Sequence, residues 1–183
     1  VSLLGAVFQM VSHGLISALL FLLVGIVYRK TGTRDLEVLR GLLNPERGLP
    51  FTGTLMILGV MASAGLPGMA GFISEFLIFR GSIAPFPVAT LVSMVGSALT
   101  AVYFLLLVNR AFFGRLAITP PGDSRLDALR DVRLAPVALR ETVPATALAI
   151  AVMAIGLLPA GLGYLCEAAT HGMALDLLSG GAG

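Results

Sequence analysis

Two ionisable side chains lie within long apolar stretches of the sequence, His13 and Glu75. An imidazole titrates near neutral pH, so it can accept and release a proton with little change in free energy. Burial raises the pKa of any carboxyl group, whereas the N-terminal end of a helix or a nearby cation lowers it. A carboxyl group balanced between these effects can load and release a proton near neutral pH. The chemistry that both residues favour is therefore proton transfer.

Each of the two residues also has a structural interpretation. His13 would then be a neutral histidine that is hydrogen-bonded to a neighbouring helix, and both interpretations of His13 stay open. Glu75 would form an ion pair with Arg80, which follows it by five positions. Arg80 is expected at the membrane interface, where its long side chain can reach water. We therefore favour the proton-binding interpretation of Glu75.

Small polar residues are expected to support the two ionisable groups. One set recurs at helical spacing and should share one face of a helix; its members are Gln9, Ser12, His13 and Ser17. Ser74 directly precedes Glu75. A later segment carries hydroxyl groups at intervals of three and four, a pattern typical of close helix packing; they belong to Thr90, Ser93, Ser97 and Thr100. A second role for this later set would be to hold water beside a proton path.

The stretch "LPGMAGFISEF", residues 66–76, combines a helix-breaking sequence with Glu75. Proline removes a backbone donor and blocks helix continuation, and glycine permits the backbone geometry of a break. The residues expected to form the break are Gly65, Pro67, Gly68 and Gly71. Irregular backbone at membrane depth is tolerated only where protein or a water-filled cavity surrounds it. The sequence predicts a second half-helix from about Gly71, with Glu75 about one turn into it.

Composition places these residues in an all-α integral membrane protein. Hydrophobic residues make up 57% of the 183 residues and charged residues only 12%, far from the average of soluble domains. Spanning helices need about 20 apolar residues. The sequence predicts four of them, at 1–28, 50–80 (broken), 86–109 and 142–165. A loop at 29–49 and a linker at 110–141 connect them, the linker carrying a short surface helix at 124–134, and 166–183 forms a tail.

Basic residues are distributed unevenly between the connecting segments. If the four helices alternate in direction, eleven of the twelve Lys and Arg residues fall in 29–49 and 110–141, and Arg80 alone lies on the other side. Lys and Arg accumulate in cytoplasmic loops. The pattern predicts that both connecting segments are cytoplasmic and that both ends of the chain lie on the non-cytoplasmic side.

Three blocks of sequence occur in an order that resembles a known family. They are "QMVSHGLISALLFLLVGIVYRKTGTRD", "ASAGLPGMAGFISEFLIFRGS" and "YFLLLVNRAFFGRL". They resemble the antiporter-like, proton-translocating subunit 4 (chain 4, or subunit M) of complex I-type NAD(P)H:quinone dehydrogenases. By this resemblance the chain is the C-terminal third of a fourteen-helix antiporter-like bundle, and the entry half of the proton path lies upstream of it.

The resemblance also assigns roles to particular residues. It implies that His13 lies on a central hydrophilic axis, that Glu75 is the last proton-binding site before release, and that Pro67 with its glycines forms the helix break. Sister antiporter-like subunits carry lysines at the positions of Ser17 and Glu75. Both differences favour subunit M over its sisters.

The resemblance implies a membrane subunit of an NAD(P)H:quinone oxidoreductase that relays protons and performs no redox chemistry. The sequence has no Gly-rich nucleotide motif and one cysteine, Cys166, so NAD(P)H, quinone and iron–sulfur clusters are expected on other subunits. The expected partners are the other membrane subunits, the upstream helices of the same subunit and the bilayer, with no nucleic acid. The expected location is the bacterial inner membrane or the thylakoid membrane.

Other functions remain open at this point. The chain could belong to an Mrp-type Na⁺/H⁺ antiporter or to a membrane-bound hydrogenase, which share the same kind of channel. It could also belong to a dehydrogenase specialised for CO₂ uptake, although His13 and His171 are too far apart in sequence to suggest a metal site. A truncated remnant that only packs against its neighbours is the structural alternative.

Overall fold

The computed structural model describes residues 1–118 and 133–161, together with 163, 164, 166, 167, 170 and 172. Its elements in chain order are α1 (Ser2–Thr31), β1 (Leu39–Arg40), α2 (Pro50–Ser63), α3 (Ala70–Ser82), α4 (Pro87–Phe112), β2 (Ala117–Ile118) and α5 (Leu139–Leu157). Among the described residues the regular structure is therefore helical apart from two very short strands. The predicted tail lies almost entirely outside the described residues.

The ends of the helices follow from the local sequence. Pro50 and Pro87 occupy the first positions of α2 and α4, where the missing backbone N–H costs no hydrogen bond. Helix α1 ends at Gly32, whose backbone has φ +76° and whose N–H donates to the carbonyl of Tyr28 at 2.8 Å. A left-handed glycine is the commonest way to end a helix.

In the part of the chain that the structure describes, three helices are individually long and apolar enough to cross a membrane, namely α1, α4 and α5. This finding confirms the helical membrane fold. Helices α2 and α3 have 14 and 13 residues, which is about 20 Å each and too short to cross the hydrocarbon core alone. That α2 and α3 together make a fourth, broken crossing stays a prediction.

Helix α1 is the centre of the packing. It contacts α2, α3 and α5, and its Leu19 and Leu23 are completely buried. Met56 of α2 and Ala149 of α5 belong to the same apolar cluster. Helix α4 packs against α2 and α3 but leaves most of its apolar surface exposed. Such surface in a spanning helix is expected to face lipid or further membrane protein.

The two connecting segments are joined by backbone hydrogen bonds. Strand β1 pairs antiparallel with β2, with Leu39 opposite Ile118. The N–H groups of Gly41, Leu42 and Leu43 donate to carbonyls at the end of α4 and just beyond it, at distances of 3.0 to 3.1 Å. We call this set of hydrogen bonds between the segments at 29–49 and 110–141 the clasp. The sequence did not predict it.

The second connecting segment differs from its prediction in two places. The surface helix predicted at 124–134 falls almost wholly outside the described residues, and Leu134, which is described, is not helical. Helix α5 begins at Leu139, three residues before the predicted start. Its first turn is stabilised because a carboxylate oxygen of Glu141 accepts a hydrogen bond of 3.0 Å from the N–H of Ala138.

Candidate functional site

The chain between α2 and α3 forms the break that the sequence predicts. Gly65 and Gly68 have φ values of +69° and +90°, a region that residues with a Cβ rarely adopt. Pro67 lies between them. The N–H of Leu66 donates to Met61 at 3.1 Å and the N–H of Met69 donates to Leu66 at 3.1 Å. Some of the backbone N–H groups of the turn are therefore hydrogen-bonded within the turn or to the end of α2.

Two other glycines let neighbouring backbone approach this break. A Cβ on Gly71 would collide with the carbonyl oxygen of Ala62, so the start of α3 lies directly against the end of α2. A Cβ on Gly156 of α5 would collide with the carbonyl oxygen of Gly68. The irregular segment is therefore packed against α2 and α5 at these two points, while Leu66 and Pro67 between them are exposed on the surface of the described chain.

The carboxylate of Glu75 lies beside the break. Glu75 is half-buried in the second turn of α3. Its Oε2 accepts a hydrogen bond of 2.9 Å from the hydroxyl of Ser97 on α4. The same oxygen is only 2.7 Å from the position that a Cβ on Gly65 would occupy. Gly65 thus gives the turn its backbone conformation and leaves the space that the carboxylate fills.

Glu75 has no cationic partner among the residues that the structure describes. The two ion pairs of Glu141, with Arg29 and with Lys30, include neither Glu75 nor Arg80. Arg80 is exposed. The structural alternative for Glu75, an ion pair with Arg80, is therefore not formed.

A second set of polar contacts joins α1 to α3. The buried hydroxyl of Ser74 lies within hydrogen-bond distance of the side-chain oxygen of Gln9 and of the carbonyl of Gly71. The buried hydroxyl of Ser12 donates to the carbonyl of Ala70 at 3.3 Å. Ser74 and Glu75 are consecutive and project about 100° apart, so α3 makes polar contacts with α1 through one and with α4 through the other.

His13 lies elsewhere. It is exposed on the surface of this chain, and its Nε2 is 3.3 Å from the hydroxyl of Ser17. Within the described chain the predicted polar set of α1 is therefore divided, and a buried position for His13 in the complete subunit stays a prediction. Gln9 and Ser12 turn toward α3, whereas His13, which is 100° beyond Ser12, turns away from it.

The hydroxyl groups of α4 differ in their contacts. Ser93 and Thr100 donate to carbonyls of their own helix, at 2.9 and 3.1 Å. Ser93 is exposed, and no atom lies within 4 Å of a Cβ built on Gly96. Within the described chain the surface at Gly96 is therefore not closely packed. Ser97 lies on a side of α4 that faces α3. Sequence spacing alone could not identify that side.

Sequence reasoning missed a charged cluster at the end of α1. Glu141, which is buried, accepts a hydrogen bond of 2.7 Å from Nη1 of Arg29, and Nζ of Lys30 lies 3.9 Å from its other oxygen. Lys30 also donates to the carbonyl of Pro136 at 2.8 Å. In the described ranges there is no group of three or more His, Cys, Asp or Glu side chains placed to hold a metal ion.

Comparison with known proteins relates these features to a family. Residues 1–110 match a model of the family described as NADH:quinone oxidoreductase/Mrp antiporter, TM. NADH-quinone oxidoreductase subunit M of Escherichia coli (strain K12) is 40% identical over 111 residues, which are 61% of this chain and 21% of that protein. NAD(P)H-quinone oxidoreductase chain 4 1 of Synechococcus sp. (strain JA-3-3Ab) is 38% identical over 162 residues, 85% of this chain and 29% of that protein. The chain thus spans less than a third of these relatives.

Solved structures show the same relationship. A chain of respiratory complex I from Thermus thermophilus with bound NADH matches with a TM-score of 0.72 and 27% identity, over 90% of this chain and 32% of that chain. A chain of the Mrp complex from Dietzia sp. DQ12-45-1b matches with a TM-score of 0.72 over 90% of this chain and 36% of that chain. At 21% identity, the second likeness shows a shared fold alone.

Proposed function

Because the chain belongs to the NADH:quinone oxidoreductase/Mrp antiporter membrane family, we propose that it forms part of a proton-translocating membrane subunit of an NAD(P)H:quinone oxidoreductase. The resemblance to subunit M and chain 4 proteins is confirmed by relatives of those names at 38% to 40% identity. In this proposal the chain carries protons, and other subunits hold NAD(P)H, quinone and iron–sulfur clusters.

The observation that carries the proposal is the position of Glu75. Its carboxylate lies at a helix break, in hydrogen-bond contact with Ser97 and, within the described residues, with no ion pair. A strong ion pair would hold a carboxylate permanently in its charged form. A carboxylate held by a hydroxyl group can instead be protonated and deprotonated, since a hydroxyl group can donate or accept a hydrogen bond. Glu75 is thus suited to bind a proton reversibly.

His13 would act earlier in the same path. It lies on the exposed surface of α1 with Ser17, and the chain spans only part of its relatives. We expect the upstream helices of the subunit to cover this surface and to deliver protons to His13. The contacts of Gln9 and Ser12 with α3 would then fix the orientation of α1 relative to the helix that carries Glu75.

The orientation in the membrane is also part of the proposal. The clasp and the basic ends of α1 and α4 would lie on the cytoplasmic side, in accordance with the distribution of Lys and Arg. Protons leaving Glu75 would be released on the non-cytoplasmic side, and both ends of the described chain would lie there. The membrane would be a bacterial inner membrane or a thylakoid membrane.

An Mrp-type Na⁺/H⁺ antiporter subunit is the second candidate, because the matching family includes Mrp antiporters. The presence of Ser17 and Glu75, where the sister subunits carry lysines, favours the oxidoreductase. Dependence of transport on electron donor and quinone, rather than on Na⁺, would distinguish the two in the same vesicles.

The proposal is tested by Glu75→Gln in the complete complex, reconstituted in proteoliposomes. We expect proton uptake coupled to quinone reduction to fall by tenfold or more, since glutamine has the same shape but cannot carry a proton, while the amount of assembled complex stays unchanged. Glu46→Gln is the matched control, because Glu46 is exposed in the first connecting segment. Normal pumping by the Glu75→Gln complex would rule out the assigned role.

A further inference from the structure

A groove runs along the outer surface between the end of α1 and the start of α5. Its volume is about 550 Å³. One end is lined by charged residues, Arg29, Arg140 and Glu141, and the remainder by Phe21, Leu22, Gly25 and Ile26. Because α1 and α5 are both spanning helices by length and composition, the charged end lies at a membrane surface and the apolar part extends from it into the membrane.

The charged end has an excess of positive charge. Glu141 is already engaged by Arg29, by Lys30 and by the N–H of Ala138. Three cations, including Arg140, therefore surround one carboxylate. The side chain of Arg29 is 61% exposed although one of its nitrogens binds Glu141, and guanidinium groups carry five donors. Arg29 and Arg140 thus have donors available for an anion at the surface.

The apolar part is open along α1. Phe21 is 78% exposed, and no atom lies within 4 Å of a Cβ built on Gly25. The distance from Phe21 to Arg29 along the helix is about 12 Å, which is enough for the upper part of an acyl chain. A free anion would use the arginines but not this apolar surface.

We propose that this groove binds an anionic phospholipid, with its phosphate on Arg29 and Arg140 and an acyl chain along Phe21, Gly25 and Ile26. Arginines form bidentate, charge-assisted hydrogen bonds with phosphate, and basic pockets between spanning helices are suited to anionic head groups. Glu141 positions Arg29 by fixing one of its nitrogens. The site does not depend on the proton path and goes beyond the proposed function.

The test measures lipid binding by the purified complex in nanodiscs of phosphatidylcholine, with phosphatidylglycerol added as the probe. Arg140→Gln removes a phosphate ligand and leaves the Arg29–Glu141 pair in place. Gly25→Leu places a side chain in the apolar part, and its Cβ has no other atom of the described chain within 4 Å. We expect each variant to bind phosphatidylglycerol at least about tenfold more weakly. Arg140→Gln loses a charge-assisted hydrogen bond to the phosphate, and Gly25→Leu loses contact area with the acyl chain.

Two matched controls accompany these variants. Arg110→Gln removes an exposed arginine from the last turn of α4, and Gly96→Leu enlarges an exposed glycine of α4, a helix that does not line the groove. Both should bind phosphatidylglycerol as the unmodified complex does. Unchanged binding in Arg140→Gln and Gly25→Leu would overturn the proposal. Competition by inorganic phosphate together with an unaffected Gly25→Leu variant would also overturn it, because it would indicate an anion site without a lipid.

Discussion

The hydroxyl group of Ser97 donates a hydrogen bond of 2.9 Å to Oε2 of Glu75, joining α4 to α3 beside the helix break. This is the contact through which a residue outside the broken segment acts on the proposed proton-binding group. It gives one hydroxyl of α4 a distinct role, since Ser93 and Thr100 are bonded to their own helix.

Ser97→Ala is expected to lower the rate of proton pumping several-fold without loss of assembled complex. A hydrogen bond to a charged group contributes about 1.5–3 kcal/mol, and without it the carboxylate of Glu75 is no longer held beside α4. The measurement is proton uptake by proteoliposomes across a range of pH. Ser97→Thr keeps the hydroxyl group and should retain most activity, and Ser93→Ala is the control on the same helix. Equal pumping by Ser97→Ala and Ser93→Ala would contradict this role.

Gly65→Ala is expected to reduce both stability and pumping. The new Cβ would lie 2.7 Å from Oε2 of Glu75, and the alanine backbone would have to keep φ +69°. The backbone strain alone costs about 1–2 kcal/mol. Gly68→Ala is a matched control, because it has the same kind of strain at φ +90° but no contact with Glu75. The Tm of thermal unfolding should fall in both variants, whereas a strong loss of pumping should be confined to Gly65→Ala. A similar loss in Gly68→Ala would show that strain in the turn explains the effect.

Gly156→Ala is expected to destabilise the protein by about 1–3 kcal/mol, the range typical of overpacking. Its Cβ would collide with the backbone of Gly68 and Met69, forcing α5 away from the break. Gly96→Ala is the control, because Gly96 has no neighbour within 4 Å in the described chain. There alanine should stabilise the helix by about 0.5–1 kcal/mol. Thermal unfolding of the two purified variants compares the effects, and equal Tm values would refute the close contact.

His13→Ala is expected to reduce proton pumping while leaving the thermal stability of the chain nearly unchanged. Its side chain is exposed, and the bond that it loses is one of 3.3 Å with Ser17, so little packing is removed. His13→Gln retains a polar group but cannot change its charge, and it should pump as poorly as His13→Ala. Pumping at the normal rate in His13→Gln would show that titration of this residue is not needed.

The spanning helices could be predicted from the sequence because apolar runs of sufficient length have few alternatives in a membrane. The break could be predicted as well, since Pro67 and the glycines around it restrict the local backbone directly. In both cases the determining information lies within about thirty consecutive residues. The observed bounds of α1, α3 and α4 accordingly differ from the predicted ones by a few residues or less.

Features that depend on how helices face one another could not be predicted. The polar residues of α1 form a wide stripe, and a rotation of 100° separates buried Ser12 from exposed His13. Four hydroxyl residues of α4 looked equivalent, although only Ser97 contacts Glu75 within the described chain. The ion pair between Arg29 and Glu141 joins residues 112 positions apart, and the predicted helix did not include Glu141. Such contacts depend on tertiary packing, which periodicity does not specify.

The two glycine contacts around the break also determine from where water can reach it. A Cβ on Gly71 would collide with the carbonyl oxygen of Ala62, and one on Gly156 would collide with that of Gly68. No water molecule fits between the backbones at these two points. The carboxylate of Glu75 lies toward Ser97 and α4. Two residues without side chains thus exclude water at two points of the break, and a hydrated path to Glu75 is left beside α4 or across the exposed turn at Leu66 and Pro67.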